Sequence, residues 1–216
     1  MKTIFWNVDT QYDFMRNDNS FRGALSVEGA RVIEPNLEKL TKIAEKYNIQ
    51  VINTADWHNQ DSKEISDKPD FKKTYPAHCM QNTKGAEYIP STAPHDPLVI
   101  SWEDAGFDRE AAKGARNIVL YKDKFDVFEG NPHTLNVLQA IAPDRVFLYG
   151  VATNVCVDQA VLGLAERVKE VYVVRDAIKE LPKEIAEKPL EAVLKGWNEL
   201  DIRFVDTGEV ERYLRR

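Results

Sequence analysis

The chain has 216 residues, of which 43% are hydrophobic and 30% charged, an ordinary balance for a globular protein. Its net charge of −6 is spread along the chain without a run of Lys or Arg, which argues against nucleic-acid and membrane partners. With two cysteines, no signal-peptide pattern and no apolar stretch of about 18 residues, we expect a reduced, cytoplasmic protein that binds small molecules.

Short β-rich runs alternate with helical segments. Six runs are predicted as strands, at 3–8, 49–55, 117–121, 145–150, 170–174 and 201–205. Helices are predicted at about 28–47, 133–142, 155–168 and 183–199, the last kinked or split by Pro189, with a short one at the C-terminus. This order predicts an α/β fold, a six-stranded and mostly parallel sheet with helices on both faces.

One domain is expected over residues 1–216, with a long irregular loop inserted at about 59–97. A loop of that length in a compact domain is usually functional or disordered. The segments 59–74 and 90–97 could cover a pocket.

Reactive residue types follow four of the predicted strands. Ligands of a parallel α/β sheet bind beyond the carboxyl ends of its strands, so these side chains are expected to converge. In chain order they are Asp9, Gln11 and Asp13, then Asp56 and His58, then Lys122, and finally Cys156. The sequence therefore predicts an active site at this edge of the sheet.

Cys156 stands at a strand-to-helix turn, where two interpretations compete. It could be a small apolar core residue. It could instead be a nucleophile, because a helix N-terminus and a nearby Lys122 ammonium would lower the pKa of its thiol. Asp9 could take the thiol proton while Asp13 ties down the loop, although one of the two could simply cap a turn or the following helix.

Two of the four histidines, His58 and His78, fall in the region that runs from Asp56 into the irregular loop. Asp56 and His58 are two residues apart, and His78 in the irregular loop could complete a set of one carboxylate and two imidazoles. Such a set suits zinc, with manganese or iron(II) as alternatives. Cys79 is interpreted as a packed thiol, with metal ligand or rival nucleophile as the other options.

These residues resemble the isochorismatase-like cysteine hydrolase superfamily, and within it the nicotinamidases. The segments that carry the resemblance are "VDTQYDF", "TADWH", "YPAHC" followed by "TKGAE", and "YGVATNVCVDQAV". It extends from the first of these to about residue 206 and implies the three-layer, Rossmann-like fold of that superfamily.

The resemblance also assigns roles. It implies that Asp9 is the acid/base, Cys156 the nucleophile and Lys122 the catalytic lysine, with Lys124 in reserve. A cis peptide is implied at Val151–Ala152, and the backbone N–H groups of Ala152 and Cys156 would form the oxyanion hole. The metal ligands would be Asp56, His58 and His78, and the substrate pocket would include Phe14, Gln11, Tyr75 and Val151.

Three features depart from the nicotinamidase pattern. A further metal-binding histidine after "DWH" is missing, and Glu64, or secondly Asp61, is the nearest substitute. The "KDKFDVF" spacing is more like that of other amidases of the superfamily, and Tyr75 stands where Trp is usual.

The implied function is hydrolysis of nicotinamide to nicotinate and ammonia, a step of NAD salvage, by a homo-oligomer with one divalent ion. The alternatives are a related hydrolase of another small carboxamide or ureido compound and a non-catalytic metal-binding protein.

Overall fold

Seven parallel β-strands form one sheet in the computed structural model, which describes residues 1–214 apart from the side chain of Lys183. Their order across the sheet is β3-β4-β2-β1-β5-β6-β7. The strands are β1 (Thr3–Val8), β2 (Gln50–Asp56), β3 (Leu98–Ile100), β4 (Asn117–Lys122), β5 (Arg145–Val151), β6 (Glu170–Lys179) and β7 (Arg203–Val205).

The α/β prediction is confirmed, but the predicted number of six strands was wrong. The missed strand is β3, three residues that follow Pro97 and pair with β4 alone. A strand this short shows no alternation of polar and apolar residues, so only its partner in the sheet identifies it.

Eight α-helices lie in the described part of the chain. They are α1 (Tyr12–Met15), α2 (Glu34–Lys46), α3 (Arg109–Gly114), α4 (Val127–Gly130), α5 (Thr134–Ile141), α6 (Asp158–Ala165), α7 (Leu190–Glu199) and α8 (Val210–Leu214). Pro189 splits the predicted 183–199 helix as expected, leaving a 3₁₀ turn at Lys183–Ile185 before α7. The predicted 155–168 helix instead starts as a π-helical turn at Thr153–Val157.

The hydrophobic core lies on both faces of the sheet. Ile4, Trp6 and Val8 of β1 belong to one buried cluster, whereas Phe5 belongs to the other. This alternation follows from the two-residue repeat of a strand. Each fully buried side chain of this kind contributes about 1.5–3 kcal/mol, so the two clusters hold the ends of the strands in place.

The carboxyl ends of β1, β2, β4 and β5 lie side by side. Val8 is in register with Thr54 on one side and with Gly150 on the other, and Asp56 is in register with Lys122. The residues that follow these strands therefore meet at one edge of the sheet.

Residues 59–97 cross this edge with little regular structure. They contain a 3₁₀ turn at Lys84–Ala86. Isolated bridges between His58 and Met80 and between Gln11 and Tyr88 tie the region to its surroundings, and a third bridge joins Ile65 to Tyr75 within it. No described helix is both long and apolar enough to cross a lipid bilayer.

Candidate active site

A buried lysine joins the predicted acid/base and the predicted nucleophile. Lys122 Nζ lies 3.0 Å from Asp9 Oδ2 and 3.6 Å from Cys156 Sγ. Asp9 follows β1, Lys122 ends β4, and Cys156 follows β5. Asp9 and Lys122 are fully buried, and Cys156 is 6% exposed. The structure thus brings together the three side chains assigned to catalysis.

Asp9 is held by its neighbours on β2. Its backbone adopts a positive φ of 48°, and its N–H donates to the Thr54 carbonyl at 3.1 Å. The Thr54 hydroxyl donates to Asp9 Oδ1 at 2.6 Å. Burial raises the pKa of Asp9, while the Lys122 ammonium and the Thr54 hydroxyl act in the opposite direction. Asp9 is therefore a carboxylate whose proton affinity is higher than that of an exposed one.

The Cys156 thiol differs from the expectation of a lowered pKa. Burial raises the pKa of Cys156 well above its usual value, and the opposing effect of Lys122 is too small to reverse this. The nearby carboxylates of Asp9 and Asp56 raise it further. Because the resting thiol is protonated, an attack by sulfur requires a base, and Asp9 is in place to serve as one.

Lys122 rather than Lys124 occupies the buried position. Burial alone would lower the pKa of Lys122, but the carboxylates of Asp56 and Asp9 outweigh burial and raise it. Lys122 also forms a short ion pair with Asp56. Lys124 instead contacts Glu129 at 3.7 Å with 44% of its side chain exposed. The ammonium of the site therefore comes from the last residue of β4.

Asp56, His58 and His78 form the metal-ligand group expected from their spacing. Asp56 Oδ2 lies 3.7 Å from His58 Nε2 and 3.5 Å from His78 Nε2, and all three side chains are buried. His78 Nδ1 is 2.7 Å from the Pro76 carbonyl, and donation to that oxygen leaves the Nε2 lone pair free. Burial would raise the pKa of Asp56, but Lys122 and both histidines hold it well below its usual range.

These donor atoms fit a divalent cation. Asp56 Oδ2 and His58 Nε2 have no hydrogen-bond partner among the described residues, although both are buried. Separations of 3.5 and 3.7 Å are too long for good hydrogen bonds. They are close to the edge of about 3.4 Å of a tetrahedron whose metal–ligand bonds measure about 2.1 Å. One carboxylate and two imidazoles suit zinc, manganese or iron(II).

Gln11 was predicted to line the pocket, but its side chain instead forms hydrogen bonds with backbone groups beside the site. Its side-chain amide donates to the carbonyls of Asp56 at 2.7 Å and Ala86 at 2.8 Å, and its Oε1 accepts from the Asp56 N–H at 2.8 Å. Asp13 has the loop-fixing role considered for it, since it accepts from the N–H groups of Cys79 at 2.7 Å and Ala24 at 2.9 Å.

Glu64 lies outside the group formed by Asp56, His58 and His78. Its Oε1 accepts a hydrogen bond from the Phe125 N–H at 3.0 Å, and burial raises its pKa to about 8. Asp61, the second substitute, is exposed. Neither carboxylate is placed as a fourth ligand in this arrangement.

A cavity opens onto Cys156. Three of the predicted pocket residues, Phe14, Tyr75 and Val151, line it. Sequence reasoning missed five further apolar lining residues, which carry no periodic signal because most lie in loops; they are Leu25, Val27, Phe125, Val155 and Leu181. The polar groups Asp56, His78 and Cys156 also line it, so the cavity combines apolar walls with the reactive groups.

The residues assigned to the oxyanion hole also border this cavity. The Val151–Ala152 peptide bond is cis, as the resemblance implied, and both Ala152 and Cys156 line the cavity. Cys79 is completely buried, with its sulfur 3.8 Å from the Gly85 carbonyl oxygen. Cys79 is thus a packed thiol that does not reach the cavity.

Residues 3–197 match the family model of the isochorismatase domain, and the chain belongs to the isochorismatase family of hydrolases. A nicotinamidase/pyrazinamidase of Mycobacterium tuberculosis is 31% identical over 166 residues, which cover 74% of this chain and 80% of that protein.

Solved structures agree with this assignment. The pyrazinamidase of Pyrococcus horikoshii in complex with zinc has a TM-score of 0.71 at 26% identity, over 95% of this chain and 99% of that one. The N-carbamoylsarcosine amidase of Thermoplasma acidophilum has a TM-score of 0.69 at 19% identity, over 96% and 97% of the two chains, and shares the fold.

Proposed function

We propose that this protein is a metal-containing amidohydrolase that converts nicotinamide to nicotinate and ammonia through a thioester on Cys156. One observation carries the proposal: Asp9, Lys122 and Cys156 are buried together beside a cavity with mainly apolar walls. The relative that is 31% identical is a nicotinamidase/pyrazinamidase, which supports the same reaction. The nicotinate released by this protein would enter NAD salvage.

Asp9 acts as base and then as acid. It takes the proton of Cys156, and the sulfur attacks the carboxamide carbon to form a tetrahedral adduct. Asp9 then gives this proton to the leaving nitrogen, and ammonia departs as the carbon–nitrogen bond breaks. Water, deprotonated by Asp9, attacks the thioester and releases the carboxylic acid and the thiol.

Two groups stabilise negative charge during this sequence. The Lys122 ammonium, 3.6 Å from Cys156 Sγ, stabilises the thiolate as it forms. The backbone N–H groups of Ala152 and Cys156 are assigned to the oxyanion. The loss of one such donor typically costs about 2.7–4 kcal/mol of transition-state stabilisation.

Asp56, His58 and His78 would hold the divalent ion, for which we propose zinc. The buried donor atoms without partners support this assignment, as does the zinc complex of the Pyrococcus pyrazinamidase. When bound, the ion would act mainly as a template that orients the pyridine nitrogen. Asp56 and His78 also line the cavity and give its mainly apolar wall a polar part.

A ureido acid is the second candidate substrate, because this fold also occurs in an N-carbamoylsarcosine amidase. Such a substrate carries a carboxylate that needs a cationic partner. Among the described residues that line the cavity there is no Lys or Arg, and Lys122 already contacts Asp9 and Asp56. The mainly apolar walls therefore favour an uncharged aromatic carboxamide.

Ammonia release from nicotinamide by the metal-loaded protein tests the proposal. Cys156→Ala should lower kcat by roughly 10⁴-fold or more, because the nucleophile is lost. Cys79→Ala is the matched control, since Cys79 is a buried thiol that does not line the cavity. It should keep kcat within about threefold, as expected for a residue outside the site.

The outcomes separate substrate from mechanism. A wild-type protein that is inactive on nicotinamide but hydrolyses another amide would overturn the substrate and keep the cysteine mechanism. Full activity of Cys156→Ala would overturn the assignment of Cys156 as the nucleophile.

A further inference from the structure

Asn154 is a buried polar residue that the proposed chemistry does not use. It lies two residues before Cys156 in the π-helical turn Thr153–Val157, and it is 4% exposed. Its φ of −97° and ψ of 18° depart from helical values, so the turn is bent at this residue. An amide side chain buried here needs hydrogen-bond partners.

The partners of Asn154 are both ends of one connection. Asn154 Nδ2 donates to the carbonyls of Leu181 at 3.0 Å and Lys188 at 3.1 Å. Its Oδ1 accepts from the Leu181 N–H at 2.9 Å. Residues 181–188, here called the roof segment, join β6 to α7. One amide, which offers both donors and an acceptor, therefore closes the base of this segment.

The roof segment covers part of the cavity. Leu181 lines the cavity, and the Ile185 carbonyl accepts a hydrogen bond from the Tyr75 hydroxyl at 3.2 Å. Tyr75 lines the cavity as well. The base of the segment is further tied by Lys188, whose Nζ lies 2.7 Å from Asp158 Oδ2 in α6.

We propose that Asn154 is a positioning residue that fixes the roof segment to the nucleophile turn and so sets the space above Cys156. The Tyr75 hydroxyl holds the same segment at Ile185, between its two ends. This inference rests on the proposed amidase function, whose substrate would pack its ring against Leu181. Asn154 governs how well the substrate fits, whereas the sulfur chemistry depends on Asp9, Lys122 and Cys156.

Asn154→Asp tests this role because the side chain keeps its shape and its acceptor but loses both donors to the two carbonyls. KM for nicotinamide should rise about tenfold while kcat changes by less than about threefold, the pattern of lost substrate binding. Hydrogen–deuterium exchange in residues 181–188 should also become faster, because the base of the segment is released.

Asn117→Asp is the matched control. Asn117 is also buried, its Nδ2 donates to the His95 carbonyl at 2.8 Å, and it does not line the cavity. This variant should leave KM and the exchange of residues 181–188 unchanged. Tyr75→Phe is the second test, since it removes the tie at Ile185 without burying a charge. It should speed exchange in the roof segment and raise KM by about threefold.

Two results would overturn the inference. The first is an unchanged KM in Asn154→Asp and Tyr75→Phe, which would leave only a structural role for both ties. The second is hydrogen–deuterium exchange in residues 181–188 that is as slow in these variants as in the wild-type protein. The exchange measurement needs no substrate, so it tests the attachment of the roof segment even if nicotinamide is not hydrolysed. A failure of the proposed function is thereby distinguished from a failure of this inference.

Discussion

Opposing effects set the pKa of Asp9, and burial, the largest of them, raises it. Its complete burial favours the neutral acid, while the ammonium of Lys122 at 3.0 Å and the hydroxyl of Thr54 at 2.6 Å favour the charged form. The proposed base must be charged to accept the Cys156 proton. Activity should therefore fall at acidic pH as Asp9 becomes protonated.

Thr54→Val should move this acidic limb to higher pH. The hydroxyl stabilises the carboxylate, so its loss raises the pKa of Asp9, and protonation inactivates the enzyme at a higher pH than in wild type. The shift expected for one hydrogen bond is about one pH unit, measured in the pH profile of kcat/KM.

Thr134→Val is the control for Thr54→Val. Thr134 is fully buried and donates to the Val127 carbonyl at 2.8 Å, away from Asp9. Its profile should match that of wild type. Equal acidic limbs in all three proteins would show that Asp9 does not control the titration.

The positions of individual residues were predictable where they depend on the ends of parallel strands. Lys122 ends one parallel strand, Asp9 and Cys156 follow two others, and the carboxyl ends of such strands lie at the same edge of the sheet. The direction of a side chain is not predictable in this way. Gln11 was expected in the pocket but turns to the backbone of Asp56, and the pKa of Cys156 depends on burial that no sequence pattern displays.

At the scale of elements, the contact between β1 and β5 helps to place Cys156 relative to Asp9. Gly150, near the end of β5, has a φ of +123°, and a Cβ built on it would lie 2.1 Å from the Val8 carbonyl oxygen. Only glycine allows the two backbones to approach this closely. Asp9 and Cys156 follow these two strands, so their separation depends on this contact.

Gly150→Ala should destabilise the protein by about 2–4 kcal/mol, because a strained φ and a backbone clash combine. Urea unfolding measures the loss, and turnover of the folded fraction should fall as Asp9 and Cys156 separate. Gly196→Ala in α7 is the control, since its added Cβ would meet nothing within 4 Å. It should raise stability by about 0.5–1 kcal/mol. Similar losses in both variants would contradict the role given to Gly150.

Elements long enough to show a residue pattern were predictable from the sequence. Elements that are identified only by their contacts with distant parts of the chain were not. Residues 3–8 were predicted as a strand and match β1. The three residues of β3 and the four of α4 are too short to show a period. The π-helical turn at Thr153–Val157 departs from a regular helix at Asn154, whose side chain bonds to the distant Leu181. No local pattern contains that information.

For the molecule as a whole, the metal-ligand group should couple ion binding to folding. Asp56 ends β2, and His78 reaches it from the irregular 59–97 region, so an ion would tie that region to the sheet. An ion at 100 times its Kd adds about 2.7 kcal/mol of stability. For a chain of this size, that corresponds to a rise in Tm of roughly 5–10 °C.

The measurement is Tm after removal of metal with a chelator and again after addition of Zn²⁺. His58→Ala should lose most of the rise, because a buried ligand is gone. His95→Ala is the control, since His95 is exposed and does not belong to the group. A rise of equal size in both variants would place the zinc elsewhere.

The two cysteines differ in access, and this has a practical consequence. Cys79 is completely buried and does not line the cavity, whereas Cys156 faces the cavity. A thiol reagent small enough to enter the cavity therefore meets a single reactive sulfur in the native chain and two after unfolding. Counting thiols before and after denaturation therefore gives the fraction of chains in a preparation whose cavity is intact, without any knowledge of the substrate.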